Sequence, residues 1–361
     1  MTLKFSPQLR SLPVQFIELP QGLILKRGAT ELRLEGEGAS TAAQLIFSAA
    51  RNRIRTQEIL ALFAPVSRPI VERLVQTLLS KGFLVTESRK NRISPKQESP
   101  QDVFYWHFGQ QTKPFLESLN RTFLSIVGIN FLSKHIAAAL QNSGIKNFRV
   151  VDHPLLRQER LFSKNGSLKK TAWPQTLKNP LSYDTWMRRL KNSSPQCLVV
   201  TSDFGPSPVI REMNHLAHQY RLATLPVVLH NMIGLLGPFI LPGETACYEC
   251  LSLRQNSHQD HVSVVRAIEN HSFHGQGIVG FHPLMVAILA SQAVLELIKF
   301  HGNLLPPQSM GHLIEMDFLS SRLSLRKILK VPRCPVCSPM YYHGSTMTKK
   351  IPSTSAGDLT P

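Results

Sequence analysis

The chain has 361 residues, 42% hydrophobic and 18% charged, a balance that excludes wholesale disorder and fibrous architecture and allows two or three packed domains. Lys and Arg number 41 against 23 Asp and Glu, a formal net charge of +18, which suits nucleic acid, an acidic membrane surface or an acidic peptide as partner and is silent on fold. Met1 to Pro7 lacks the apolar core of a signal peptide, and the two most apolar stretches are interrupted, 225–242 by His230 and Asn231 and 282–300 by Glu296 and Lys299, so no membrane span is expected and the setting reads as cytoplasmic.

In the first block, Val14-Gln15-Phe16-Ile17-Glu18-Leu19 alternates with period two, and Pro20-Gln21-Gly22 turns. Residues 23–28 and 31–36 repeat the pattern, predicting a three-stranded meander. Ser40 and Thr41 can cap a helix to Asn52, and Thr56 a short one to Ala64. A third helix after Pro65-Val66-Ser67 gathers Ile70, Val71, Leu74, Leu78 and Leu79 on one stripe, and Gly82 stops it. The pattern predicts a small α+β, winged-helix-like domain over residues 1–85. Residues 86–102, with their prolines and mixed charges, read as an exposed linker.

Residues 103–338 alternate strand-like and helix-like segments. Residues 122–127 are an apolar run ending in Gly128, and 133–141 are helical. Phe148-Arg149-Val150-Val151-Asp152 is a strand ending in an acid, as is the stretch from Cys197 to Asp203. A helix over 209–220 and a strand over 225–229 follow. This alternation predicts an α/β fold, a Rossmann-like open parallel sheet with helices on both faces. Residues 339–361 are polar and read as a disordered tail.

Four of the five cysteines fall in two pairs, Cys247-Tyr248-Glu249-Cys250 and Cys334-Pro335-Val336-Cys337. Each C-x-x-C knuckle presents two thiolates to one side of a metal, so two complete a closed tetrahedral Zn²⁺ site. Such a site is saturated and structural. A redox dithiol is the alternative, and it leaves the second pair unexplained. Cys197, inside an apolar strand, reads as a core thiol.

A nucleotide-binding sheet needs glycines where its first strand turns into a helix. Here Gly128-Ile129-Asn130-Phe131-Leu132-Ser133 retains only Gly128 of G-x-G-x-x-G. Asp152 lies where an acid would bond a ribose hydroxyl. The fold signal is strong and the nucleotide-site signal is weak.

The block 103–338 resembles the ThiF/MoeB family of ubiquitin-activating-type domains. It is most similar to the version found in azole-forming (thiazole/oxazole-modified) peptide cyclodehydratases, the leader-peptide-binding partner of YcaO enzymes. The stretch from Gly237-Pro238-Phe239-Ile240-Leu241-Pro242 through Gly243-Glu244-Thr245-Ala246-Cys247-Tyr248-Glu249-Cys250-Leu251 carries the resemblance. Phe104-Tyr105-Trp106 and the helix over 282–300 agree in order, and the first block is similar to a PqqD-like peptide-recognition element.

The resemblance implies a degenerate nucleotide site at Gly128, Asn130, Asp152 and Asp203, because Asp152 and Asp203 fall at positions resembling two family acids. Only Arg157-Gln158 echoes the family's polar run, which weighs against use of ATP and Mg²⁺. In the cyclodehydratase subgroup this domain is a docking scaffold, and the YcaO partner uses ATP. The implied role is in natural-product (bacteriocin) maturation. A precursor peptide's leader would add a strand along Glu31, Leu32, Arg33 and Leu34, beside Arg68, Val71 and Arg73 of the third helix, with Lys26 and Arg27 nearby. No catalytic residue is assigned. The implied partners are that precursor (leader) peptide and a separate YcaO-type cyclodehydratase, with a homodimer left open. Two alternatives stand: an active adenylating enzyme acting on a peptide or carrier-protein terminus, and a nucleic-acid reader. The reader is disfavoured because the third helix offers only Arg68, Arg73 and Lys81 as cations.

Overall fold

A computed structural model describes residues 8–86, 98–190, 197–257, 261, 263–264, 267 and 279–338. Most of the linker expected at 86–102, and all of the tail expected at 339–361, lie outside the described residues. By its internal contacts the chain divides into two units, Met1–Phe115 and Leu116–Pro361.

In the first unit, β1 (Leu9–Ser11) pairs antiparallel with β5 (Leu84–Thr86), a closure between three-residue strands that sequence alternation does not reveal. Between them, β2 (Gln15–Leu19), β3 (Gly22–Arg27) and β4 (Thr30–Glu35) form the expected meander, in the order β2-β3-β4. Three helices follow: α1 (Ala39–Arg51), α2 (Thr56–Ala61) and α3 (Arg68–Ser80). Leu23 and Leu25 of β3 bury against Ile46 and Phe47 of α1, Ile59 of α2, and Val75 and Leu78 of α3. Each such side chain contributes about 1.5–3 kcal/mol relative to exposure.

Arg27 continues the inward face of β3 at 5% exposure. A buried cation is tolerated only when paired. Its guanidinium forks onto Glu98 at 2.6 and 3.1 Å, donates to the Pro13 carbonyl at 2.8 Å, and lies 4.7 Å from the Trp106 ring centroid. Arg27 therefore does not serve a peptide groove, contrary to the expectation from sequence. It staples Glu98 and α4 (Pro100–Trp106) to the sheet, and Trp106 Nε1 donates to the Gly82 carbonyl at 3.1 Å. α5 (Thr112–Leu119) carries the chain on into the second unit.

The second unit is built on an eight-stranded sheet, which the first strands enter in the order β6 (Leu124–Val127), β7 (Phe148–Asp152), β8 (Leu181–Ser182), β9 (Cys197–Ser202) and β10 (Ala223–His230). These five are parallel, in spatial order β10-β9-β6-β7-β8. Every residue of β6 and β9 is buried, as expected for strands covered on both faces. β11 (Ile233–Leu236), β12 (His312–Asp317) and β13 (Arg322–Lys327) extend the sheet antiparallel. The parallel strands are the expected Rossmann-like sheet; beyond them short turns join β10 to β11 and β12 to β13, and a hairpin cannot run parallel.

The helices are α6 (Phe131–Asn142), α7 (Tyr183–Leu190), α8 (Pro208–Tyr220), α9 (Tyr248–Ser257) and α10 (Pro283–His301). α10 alone among the described helices is long and apolar enough to cross a membrane, with mean hydropathy 1.6. It packs on α6, β10 and β11, with Val286, Leu289, Ala293 and Leu297 buried. The order β9-β6-β7 places the topological switch at β6, where such folds open their ligand crevice.

Candidate functional site

β6 turns into α6 through Gly128, at φ +113°, where a Cβ would lie 2.8 Å from Asn130 Nδ2 and 2.9 Å from the Thr201 carbonyl. Asn130 caps the helix. Its Oδ1 accepts from the Ser133 amide at 2.9 Å, and Ser133 Oγ accepts from the Asn130 amide at 3.0 Å. Its Nδ2 donates to the Thr201 carbonyl and to Thr201 Oγ1, at 2.9 and 3.0 Å. Asp203, fully buried, accepts from the Phe131 amide at 2.8 Å and from Gln158 Nε2 at 3.2 Å. The amides of Asn130, Phe131 and Ser133, which a phosphate would need at a helix N-terminus, are thus engaged by the chain's own side chains.

Burial raises the pKa of Asp203 to about 6, and the donors from Phe131 and Gln158 oppose that rise. Asp152 stands apart from this network. Arg157 grips it through two bonds, 2.7 and 2.8 Å, and lies 4.8 Å from the Phe162 ring centroid. The structure therefore unites Gly128, Asn130 and Asp203 and leaves Asp152 in an ion pair. Thr201, Ser133 and Gln158 complete the network. The Asn130-x-x-Ser133 spacing is a readable capping signal, whereas nothing in sequence points to Thr201. Cys197 is fully buried, and burial pushes its thiol above the ordinary range, so it is no nucleophile.

Cys247, Cys250, Cys334 and Cys337 bring their sulfurs within 4.8 Å of one another. Cys247 lies 3.8 Å from Cys250 and 3.6 Å from Cys334, and Cys250 lies 3.4 Å from Cys337. Thiolates 2.3 Å from a tetrahedral metal sit about 3.8 Å apart, whereas a disulfide would need about 2.05 Å. The four therefore fit a metal ion and not a pair of disulfides. Cys250 lies in the first turn of α9, and hydrogen bonds from the Cys247 and Cys337 thiols hold its own thiol far below the usual range. The Val331 amide donates to Cys250 Sγ at 3.3 Å, an outer bond of the kind that steadies a ligand. Arg254 of α9 donates to the Leu329 carbonyl at 2.8 Å, and Lys330 Nζ to the Gly243 carbonyl at 2.6 Å. These bonds tie the two knuckles together.

In the first unit, Glu31, Leu32, Arg33 and Leu34 share β4, an edge strand. Leu32 and Leu34 pack against the core that holds Val71. Glu31 pairs with Lys26 at 2.5 Å and Arg33 with Glu35 at 2.7 Å, both at the surface. Arg68 is exposed and donates to the Phe63 carbonyl at 3.2 Å, and Arg73 is exposed on α3.

No family model and no curated protein matches the sequence. Solved structures match it in fold. MccB of E. coli superposes with a TM-score of 0.64 and 17% identity, over 92% of this chain and 97% of that one. The microcin C7 biosynthetic enzyme MccB in complex with N-formylated MccA gives 0.63 and 17%, over 92% and 100%. The heterocyclase TruD gives 0.61 and 18%, over 92% of this chain and 43% of that one. At these identities the likeness is one of fold: mixed α/β, with an eight-stranded, mostly parallel sheet.

Proposed function

We propose that this chain binds the leader of a ribosomally made precursor peptide and presents it to a separate YcaO-type cyclodehydratase for azoline and azole formation in the cytoplasm. In this reading the four cysteines hold one structural Zn²⁺, and the first unit is a PqqD-like recognition element that takes the leader along β4. The observation that carries the reading is the self-capped N-terminus of α6, which removes the phosphate cradle that adenylation needs while the thiol cluster stays intact. A non-catalytic subunit follows. The likeness to an MccB structure containing MccA, and to a heterocyclase solved with substrate and cofactor, supports a peptide-handling role. Tethering the leader would raise the effective concentration of the remaining peptide at the partner's site.

The test screens short Cys/Ser/Thr-rich peptides encoded by neighbouring genes as candidate precursors and titrates them, labelled, against the purified chain. Binding without ATP is expected, with loss of one water per ring only after the YcaO-type enzyme and ATP are added. Ring formation by the enzyme at the same rate without this chain would overturn the reading. The competing reading is an ATP-dependent adenylating enzyme. It is supported by the likeness in fold to MccB, described as a microcin C7 biosynthetic enzyme, at a TM-score of 0.63.

A further inference from the structure

Positive charge in the second unit is concentrated. From Lys146 to Leu190 the chain holds 10 Lys and Arg against 3 Asp and Glu, a net of +7 within the total of +18. Its centre is a hairpin over residues 159–170 that leaves the crevice rim just after Gln158, whose own amide donates to the Ile129 carbonyl at 2.8 Å. The hairpin is built rather than loose. Phe162 and Leu168 form an antiparallel bridge, the Lys169 amide donates to the Leu161 carbonyl at 2.9 Å, and Leu161 is buried. Asn165 Oδ1 closes the tip by accepting from the Ser167 amide at 3.1 Å.

This scaffold holds Arg160, Lys164, Lys169 and Lys170 at the surface, and none of them has an ion pair among the described residues. Some cations elsewhere are neutralised locally, as in Lys26–Glu31, Arg157–Asp152 and Arg326–Glu315. Like charges fixed on one short hairpin repel one another and attract a polyanion.

We propose that this basic hairpin is a docking site for an acidic, extended segment of a partner polypeptide. Three of its four cations are ammoniums, point charges that accept carboxylates without a fixed geometry. Single-stranded nucleic acid draws affinity from exposed rings on which bases stack. The aromatic rings nearest the hairpin in sequence are otherwise engaged, Phe162 beneath Arg157 and Trp173 buried. The site belongs to the second unit, whereas the β4 edge belongs to the first.

Fluorescence anisotropy of fluorescein-labelled decaglutamate against the full chain at low salt tests this. R160Q/K164Q/K169Q/K170Q is expected to weaken binding about tenfold or more. K164E/K170E, at two exposed positions whose side chains make no described hydrogen bond, is expected to do the same while keeping the circular dichroism of the native chain. R51Q/K81Q/K113Q/R333Q, with the same change in net charge, is expected to stay within about twofold. Equal loss in both quadruple variants would reduce the effect to net charge and overturn the proposal. So would an absence of decaglutamate binding by the native chain, or tighter binding of an oligothymidylate that the hairpin variants abolish.

Discussion

The Asp203 carboxylate accepts a 2.8 Å hydrogen bond from the amide of Phe131, 72 residues earlier in the chain. An acid from the end of β9 thus sits at the positive end of α6. Burial raises its pKa from 3.8 to about 6, so the folded chain keeps a proton that the unfolded chain releases. Stability from this residue falls as pH rises from about 4 to 6 and is level above that. Asp203→Asn keeps an acceptor for Phe131 and should remove the slope, gaining at most about 3 kcal/mol at pH 8. Thermal melts of both proteins at pH 4.5 and 8 measure it; parallel pH dependences would show that Asp203 is not the titrating group.

The same relationship predicts that the isolated chain neither binds Mg·ATP nor exchanges pyrophosphate into it. Asn130→Gly clears the space beside Gly128 but removes the side-chain cap, at a cost of roughly a few tenths of a kcal/mol for the cap itself, and is not expected to create exchange. Calorimetric titration and radiolabelled exchange are the measurements. Robust exchange that Asp203→Ala abolishes would promote the adenylating reading.

Where sequence and structure agree, the controlling interactions are local. Phe148 to Asp152 is a strand with the predicted ends because apolar and β-branched residues precede an acid at the sheet's rim. The knuckles were legible for the same reason: C-x-x-C spacing alone places two sulfurs together. What sequence did not reveal depends on distant partners. Arg27 reads as a surface cation until Glu98 and Trp106 arrive to bury it. Asp203 reads as an acid of a degenerate nucleotide site until its side chain turns onto α6. β1 and β5 are three residues each, too short for a period, and find one another only across the first unit.

The cysteine cluster predicts about one zinc per chain by elemental analysis. Cys250→Ser removes the thiolate that meets Cys247, Cys337 and the Val331 amide. Structural zinc contributes folding free energy directly. A loss of even about 3 kcal/mol would lower Tm by about 6–12 °C in a unit of this size. A strong chelator should lower the native Tm similarly and leave the variant unchanged. Metal-free protein that melts normally and shows four titratable thiols would exclude the site.

If the leader joins β4, the ladder dictates which substitution hurts. The β3–β4 hairpin closes through Gly28, at φ +56°, and Ala29, with Arg27 opposite Thr30. A two-residue loop closes on a hydrogen-bonded pair, and such pairs alternate along the strands. Thr30, Leu32 and Leu34 therefore turn their main-chain groups towards β3, while Glu31, Arg33 and Glu35 turn theirs to the open edge. The apolar pattern alone would send a proline to Leu32 or Leu34, but there it would break the β3 ladder and the core beneath it. Arg33→Pro instead deletes an outward donor and spares that ladder. It should weaken binding of the labelled leader far more than Arg68→Ala, because one exposed charge contributes about 1 kcal/mol or less. Arg33→Ala separates the two effects, since it loses the same charge and keeps the amide. Circular dichroism must first show Arg33→Pro folded. Equal, small losses for Arg33→Pro and Arg33→Ala would move the peptide off this strand edge.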